Sequence, residues 1–338
     1  MGTRLTAARQ AQDTATLLAG VRRGEPLAIA RAITAIENQT AVGCELGLAL
    51  RNMRGKCRTL GVTGPPGAGK SSLINALMSE LLPRYKRIGV LTVDPSSPVS
   101  GGAVLGDRVR MAAYSANPDV FIRSLAARGH LGGVTRTTRA VIDLLAAGGM
   151  DLVIVETVGT GQSEVEVAQL TQVKIVVCAP GLGDEMQAIK AGILEIADLL
   201  VVNKSDLPDA DQTTAHLKAM LHHRGHDERR RALQVSSVKR AGLAELADAI
   251  DGFFAELPDP QPDTESQGRD PRSQLAIDVA ELAAALVRGN PDPQIDVIAA
   301  QVSTGAMSRR DGVMAAIRLL AERKGASETA TSRVASLN

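Results

Sequence analysis

Residues 59–72 read Thr59-Leu-Gly-Val-Thr-Gly-Pro-Pro-Gly-Ala-Gly-Lys-Ser-Ser72, and no other stretch restricts the fold as much. Leu60 to Thr63 is a short apolar run of the kind that forms a buried strand. Gly64 to Ser71 then spells G-x-x-x-x-G-K-S, and the spacing from Leu73 to Leu82 predicts an amphipathic helix. Strand, glycine loop and helix in that order form the context in which this pattern holds nucleotide phosphates. Gly64, Gly67 and Gly69 let the backbone turn its N–H groups inward, and Pro65, Pro66, Ala68 and Ser72 complete the cradle. The helix that follows aims the positive end of its dipole at the same oxygens. Lys70 is positioned to reach the β- and γ-phosphates, and the Ser71 hydroxyl suits Mg²⁺.

The strand signal recurs. Runs at 59–63, 87–94, 120–124, 152–156, 173–179, 199–203 and 233–236 are predicted strands, with helical stretches between most of them. Several are continuously apolar, as in Leu152-Val-Ile-Val155, which is how strands buried on both faces of a parallel sheet read. The expected fold is α/β, a doubly wound and mostly parallel sheet with its functional loops at the strand C-termini. With two Tyr, three Phe and no Trp, the core has to be aliphatic. Residues 3–50 keep helical spacing, broken at Arg22-Arg-Gly-Glu-Pro26. A stretch at 256–273 rich in Pro, Asp and Ser reads as a linker, followed by helices at 274–288, 293–303 and 308–324. The expected organisation is an N-terminal helical extension (1–55), a nucleotide domain (56–257), and a linker with a C-terminal helical arm (258–338). The arm is too apolar to bury itself, so it is expected to pair with a second copy of the chain.

Charge and cysteines exclude some classes. The net charge is +1, from 38 basic and 37 acidic residues, which gives no footprint for nucleic acid or an anionic membrane. Cys44, Cys57 and Cys178 are scattered and odd in number, without zinc spacing, so a reducing cytoplasm is expected. No apolar run is long enough to span a membrane.

Further motifs converge on the phosphate loop. Asn203-Lys-Ser-Asp206 closes a predicted strand. The Asp206 carboxylate can accept from both N1–H and the 2-amino group of guanine, which adenine cannot offer. Asn203 is expected to meet the O6 side of the base, and the Lys204 stem to lie on the ring. A pocket with such a carboxylate rejects a base that leaves it unpaired. Ser236 and Ser237, at the next strand end, fit a loop that completes the base pocket. Glu156, at the tip of strand 152–156, is expected to serve Mg²⁺, and the N–H of Gly159 to bind the γ-phosphate and release it on hydrolysis. Thr160 stands where Ras-type enzymes place a water-orienting glutamine, so slow intrinsic hydrolysis is expected. Asp94 ends strand 87–94 and belongs to a first switch around the metal. Asp107 fits that switch and fits a helix N-cap equally well. Asp184 reads as a cap in the mobile loop that carries Gln187, and Lys190 by spacing alone reads as a solvated lysine.

Taken in order, Gly64-Pro-Pro-Gly-Ala-Gly-Lys-Ser, Asp94-Pro-Ser-Ser-Pro, Gly106-Asp-Arg, Arg123-Ser with Arg128-Gly-His-Leu-Gly-Gly133, Glu156-Thr-Val-Gly-Thr-Gly-Gln-Ser-Glu164, Gly183-Asp-Glu-Met-Gln187, Gly192-Ile-Leu-Glu-Ile-Ala-Asp198 and Asn203-Lys-Ser-Asp206 resemble the MeaB/ArgK/MMAA family. These are GTPase chaperones of adenosylcobalamin-dependent acyl-CoA mutases, above all methylmalonyl-CoA mutase, once labelled transport kinases. The resemblance implies GTP/GDP and Mg²⁺ as ligands, a mutase as partner and a homodimer joined through the C-terminal helices. It implies that Ser71, Asp94, Asp107 and Glu156 surround the metal, that Lys70, Asp94 and Glu156 support hydrolysis, with Lys190 supporting it when the mutase is bound, and that Asp184, Gln187 and Lys190 form an additional switch. Two departures stand out. Ala191 replaces a second lysine, and the stretch 222–240 lacks the family's Trp/Pro-rich approach to the last strand. A sister mutase as client, or a transport-system kinase, is the alternative.

Overall fold

The computed structural model describes residues 2–50, 57–95, 112–114, 116–127, 133–157, 170–181, 197–223, 231–257 and 293–319, with isolated positions 279, 283 and 287. Three helices come first: α1 (Gly2–Arg22), α2 (Pro26–Glu37) and α3 (Ala41–Leu50). The predicted break falls between the first two. Gly24 takes φ 70°, and Pro26 starts α2 where its missing N–H costs nothing. One stripe of α2, Ala28, Ile29, Ala32, Ile33 and Ile36, is buried.

Then the chain alternates: β1 (Arg58–Thr63), α4 (Lys70–Leu81), β2 (Ile88–Pro95), β3 (Val120–Ala127), α5 (Gly133–Ala147), β4 (Leu152–Thr157), β5 (Val173–Cys178), β6 (Leu199–Val202), α6 (Ala210–His223), β7 (Arg231–Gln234) and α7 (Leu243–Glu256). The seven strands form one sheet in the order β3-β2-β4-β1-β5-β6-β7, and every pairing is parallel. The doubly wound α/β expectation holds. Further on, α8 (Pro293–Ser303) matches the helix expected at 293–303, and residues 309–319 are also helical. The helix expected at 274–288 lies almost wholly outside the described residues.

The continuously apolar strands are buried on both faces, as period 2 requires. Val173, Ile175 and Val177 of β5 join Leu60, Val62, Leu73, Leu77, Leu246, Ile250 and Phe254 in one core with α4 and α7. Val176 and Cys178 face the other way, packing with Leu200, Val202 and Leu217. Each such aliphatic side chain, fully buried, stabilises by about 1.5–3 kcal/mol.

Two expected boundaries move. Helix α4 begins at Lys70, three residues before the first apolar position, because Gly69 at φ 86° caps it from the left-handed region. The last strand is expected at 233–236 and occupies Arg231–Gln234 instead. Its register is set by β6, Leu199↔Arg231 to Val202↔Gln234, and by Ser236 the chain has turned to bridge Ala241. The chain divides into two compact units, residues 1–20, 27–49 and 263–338 in one and 21–26 and 50–262 in the other. Residues 51–56 and 258–262, around the expected domain limits, lie outside the described set.

Candidate functional site

All strand C-termini of a parallel sheet open on one edge, and ligands bind where successive connections diverge to opposite sides. Here that point is β1. The chain leaves it for β2 and β3 on one side, returns to β4, and crosses to β5 on the other. The phosphate loop follows β1 at this divergence.

Gly64 takes φ 137°, and a Cβ there would stand 2.1 Å from the Val177 carbonyl oxygen of the adjacent strand. The loop thus needs a glycine twice over, for the dihedral and for the approach. Gly64→Ala is expected to destabilise the protein by about 3 kcal/mol and to abolish nucleotide binding; a melting curve with calorimetry checks both. A Cβ on Gly69 would come 2.5 Å from Asn203 Nδ2.

Lys70 is 7% exposed, and its ammonium donates to the carbonyls of Gly64 at 2.8 Å and Pro65 at 3.0 Å. The side chain thus lies across the loop whose phosphates it is expected to bind. Ser71 and Glu156 are both buried, and Ser71 Oγ–H donates to Glu156 Oε1 at 2.7 Å. Glu156 arrives there by register, paired with Val62 of β1 and Thr92 of β2. A hydroxyl and a carboxylate, both hard oxygen donors at the mouth of a phosphate loop, fit Mg²⁺. Asp94 is the next-to-last residue of β2, opposite Ala126, which puts its backbone at the same sheet edge. Its side chain lies outside the described set, as do Asp107, Gly159, Asp184, Gln187 and Lys190. Among the described residues, no group of three His, Cys, Asp or Glu is arranged to hold a metal.

The base-side residues are assembled as a second cluster. Asn203 is 1% exposed. Its amide is held by two loops of the site. Nδ2 donates to the Ala68 and Gly69 carbonyls at 3.0 and 3.3 Å, and Oδ1 accepts from Ser237 N–H and Oγ–H at 3.3 and 2.8 Å. Asn203 is a strut between the phosphate loop and the loop that follows β7. Lys204 takes φ 57°, rare for a residue with a side chain. The exposed Asp206 carboxylate accepts from Ser236 Oγ–H. That bond, then Asp206's own backbone N–H, holds the carboxyl below its usual range, with Lys239 adding a smaller favourable charge. Ser236 in turn accepts from Lys239 N–H at 3.1 Å, so the loop is fixed at both ends.

Burial pushes the Cys178 thiol up to about 12, so it stays protonated at neutral pH and is no nucleophile. Sequence reasoning did not single out Thr63 and Thr157, whose hydroxyls meet beside Glu156. The available signal was a threonine closing each of two strands that point at the site.

The sheet order, the glycine loop and the buried Lys70–Ser71–Glu156 group define a P-loop nucleotide-binding protein of the doubly wound parallel type. A sequence model of the family described as "Methylmalonyl Co-A mutase-associated GTPase MeaB" matches residues 29–288, and the chain belongs to that family. GTPase ArgK of Escherichia coli is 40% identical over 259 residues, covering 72% of this chain and 78% of the relative. A mouse protein named methylmalonic aciduria type A homolog, mitochondrial, is 37% identical over 258 residues, covering 70% of this chain and 62% of its own. Relatives from Pyrococcus abyssi and Pyrococcus horikoshii are 44% identical over 205 residues, and the match spans 63% and 65% of their lengths. Among solved structures, a crystal structure titled LAO/AO transport system kinase superposes with a TM-score of 0.60 at 28% identity, covering 91% of this chain and 97% of that one. No helix among the described residues is long and apolar enough to cross a membrane.

Proposed function

We propose that this chain binds and hydrolyses GTP and, through that cycle, acts as a chaperone of an adenosylcobalamin-dependent acyl-CoA mutase, with methylmalonyl-CoA mutase the first client to test. The observation that carries the GTPase part is the joining of two clusters by one buried residue: Asn203 ties the Lys70 loop to the Ser236–Ser237 loop that holds Asp206. Phosphate reading and base reading are thereby built on one scaffold. The family membership supports the mutase part, since the family is described by that association.

In this reading the loop N–H groups of 64–71 and the Lys70 ammonium hold the β- and γ-phosphates. Ser71, Glu156, Asp94 and Asp107 would hold Mg²⁺, which would neutralise charge developing on the phosphate oxygens. Asp206 accepts from the guanine N1–H and 2-amino group, with Lys204 along the ring. Gly159 and the segment bearing Asp184, Gln187 and Lys190 respond to loss of the γ-phosphate. Cytoplasmic action, and a homodimer formed through the C-terminal helices, complete the proposal.

A phosphotransfer role is the second reading, because the superposable crystal structure carries a kinase title. Incubation with γ-labelled GTP separates the two. Free labelled phosphate with unlabelled protein is expected, and stable label on a protein acceptor would favour the kinase. A pull-down from native cells identifies the client, whether methylmalonyl-CoA mutase or an isobutyryl-, 2-hydroxyisobutyryl- or ethylmalonyl-CoA mutase. Lys190→Ala is expected to keep basal hydrolysis and lose most of its stimulation by the mutase. Phosphate release measured with and without the mutase checks this, and equal stimulation removes Lys190 from the cycle.

A further inference from the structure

Two threonines that the proposed function leaves unused stand at the ends of the strands framing the phosphate site. Thr63 closes β1 directly before Gly64, and Thr157 closes β4 directly after Glu156. They are 2% and 4% exposed, and Thr157 Oγ1–H donates to Thr63 Oγ1 at 2.9 Å. The ladder between β1 and β4 has its last registered pair at Val62↔Glu156. Beyond it Thr63 pairs with Val176 of β5, and Thr157 with Val93 of β2. The hydroxyl bond therefore continues the link between the two strands where their backbone pairing stops.

Space alone does not call for hydroxyls here. Valine has nearly the same shape and a similar strand preference, and it would avoid burying two polar groups. What the hydroxyls add is direction: a short bond that fixes the tip of β4 against the tip of β1. The second side-chain link across this junction is Ser71 Oγ–H to Glu156 Oε1. A cation there would draw on lone pairs of both oxygens. The Thr63–Thr157 bond involves neither oxygen, so it is independent of that coordination.

We propose that Thr157, held by Thr63, is a positioning residue that fixes Glu156 for the divalent cation. The proposal rests on the Mg²⁺-dependent guanine-nucleotide reading above. Groups hydrogen-bonded to a metal ligand change metal affinity by about 10–100-fold when removed; Thr157 acts one step further out, through the backbone it shares with Glu156, so the lower end of that range is expected.

The test measures binding of a fluorescent GDP analogue to the full chain across a Mg²⁺ titration, and again in EDTA. Thr157→Val is expected to raise the half-saturating Mg²⁺ concentration by about 10-fold while leaving the affinity in EDTA unchanged. Thr157→Ser, which keeps the hydroxyl, is expected to restore the wild-type titration. Thr63→Val should match Thr157→Val, and the double variant should be no worse than either alone, since one bond is lost in all three. An unchanged Mg²⁺ requirement in both valine variants overturns the proposal. So does a loss of equal size in EDTA, which marks a merely structural role, or a failure of serine to rescue. Wild-type protein that binds the GDP analogue with no Mg²⁺ dependence brings down the metal reading itself, and this inference with it. Wild-type dependence with unaltered variants brings down the inference alone.

Discussion

Lys70→Ala is expected to lower GTP turnover by at least about 100-fold while leaving the fold in place. Lys70 is the first residue of α4, and its ammonium is buried across the loop on the Gly64 and Pro65 carbonyls. Those carbonyls hold the charge at the loop. With a triphosphate in the loop, the same three donors have oxygens of full negative charge within reach, and charge-assisted bonds are the stronger ones. The charge on the phosphoryl oxygens is stabilised by fixed donors in a site shielded from water, where each is worth far more than in bulk solvent. Alanine removes that donor and keeps the helix, since it is the best helix former. Single-turnover phosphate release at saturating GTP measures the loss, and a thermal melt shows whether folding is retained. Undiminished turnover would remove the phosphate loop from the proposed function.

The parts of this fold that were legible in advance are those written in one stretch of chain. A strand of six residues buried on both faces has to be apolar throughout, so β4 announced itself as Leu152-Val-Ile-Val155. The break at Gly24 and Pro26 was equally visible, because both residues restrict the backbone locally. What was hidden depends on partners distant in sequence. Nothing in β1 or β4 says that β4 inserts between β1 and β2; that follows from the crossovers packing together. Strand β7 begins two residues before the expected run, because its pairing starts at exposed Arg231 and small Ala232, which carry little apolar signal. At the site, residue types were readable and orientations were not. The Asn203 amide also reaches carbonyls 134 and 135 residues away and the hydroxyl of Ser237, which no local pattern announces. The Thr63–Thr157 bond spans 94 residues and becomes visible with the register.

Asp206→Asn is expected to weaken GTP binding by about 100-fold and to transfer preference to xanthosine triphosphate. The carboxylate can accept from guanine N1–H and the 2-amino group together. A carboxamide keeps one acceptor and turns an N–H towards the 2-amino hydrogens, so one charge-assisted bond is lost and a donor is left facing a donor. Losing such a bond costs about 1.5–3 kcal/mol, and each 1.4 kcal/mol is tenfold in affinity. Xanthine carries a carbonyl where guanine has the amine, and that carbonyl accepts the new N–H. The loop itself should survive, because Ser236 Oγ–H can donate to the Asn oxygen as it does to Asp206. The wild-type contact should also resist acid. The carboxyl is held below its usual range by Ser236, so the ionised form is favoured in the native state. Its contribution is present above the unfolded-state value and lost as pH falls through the lowered native one. GTP affinity should therefore stay flat from neutral pH down to about pH 5, as far as this group is concerned, since an aspartate ordinarily titrates near 3.9. Calorimetric titrations of both proteins with GTP, XTP and ATP, at pH 7 and pH 5, measure all of this. Equal GTP affinity in wild type and variant would remove Asp206 from base reading.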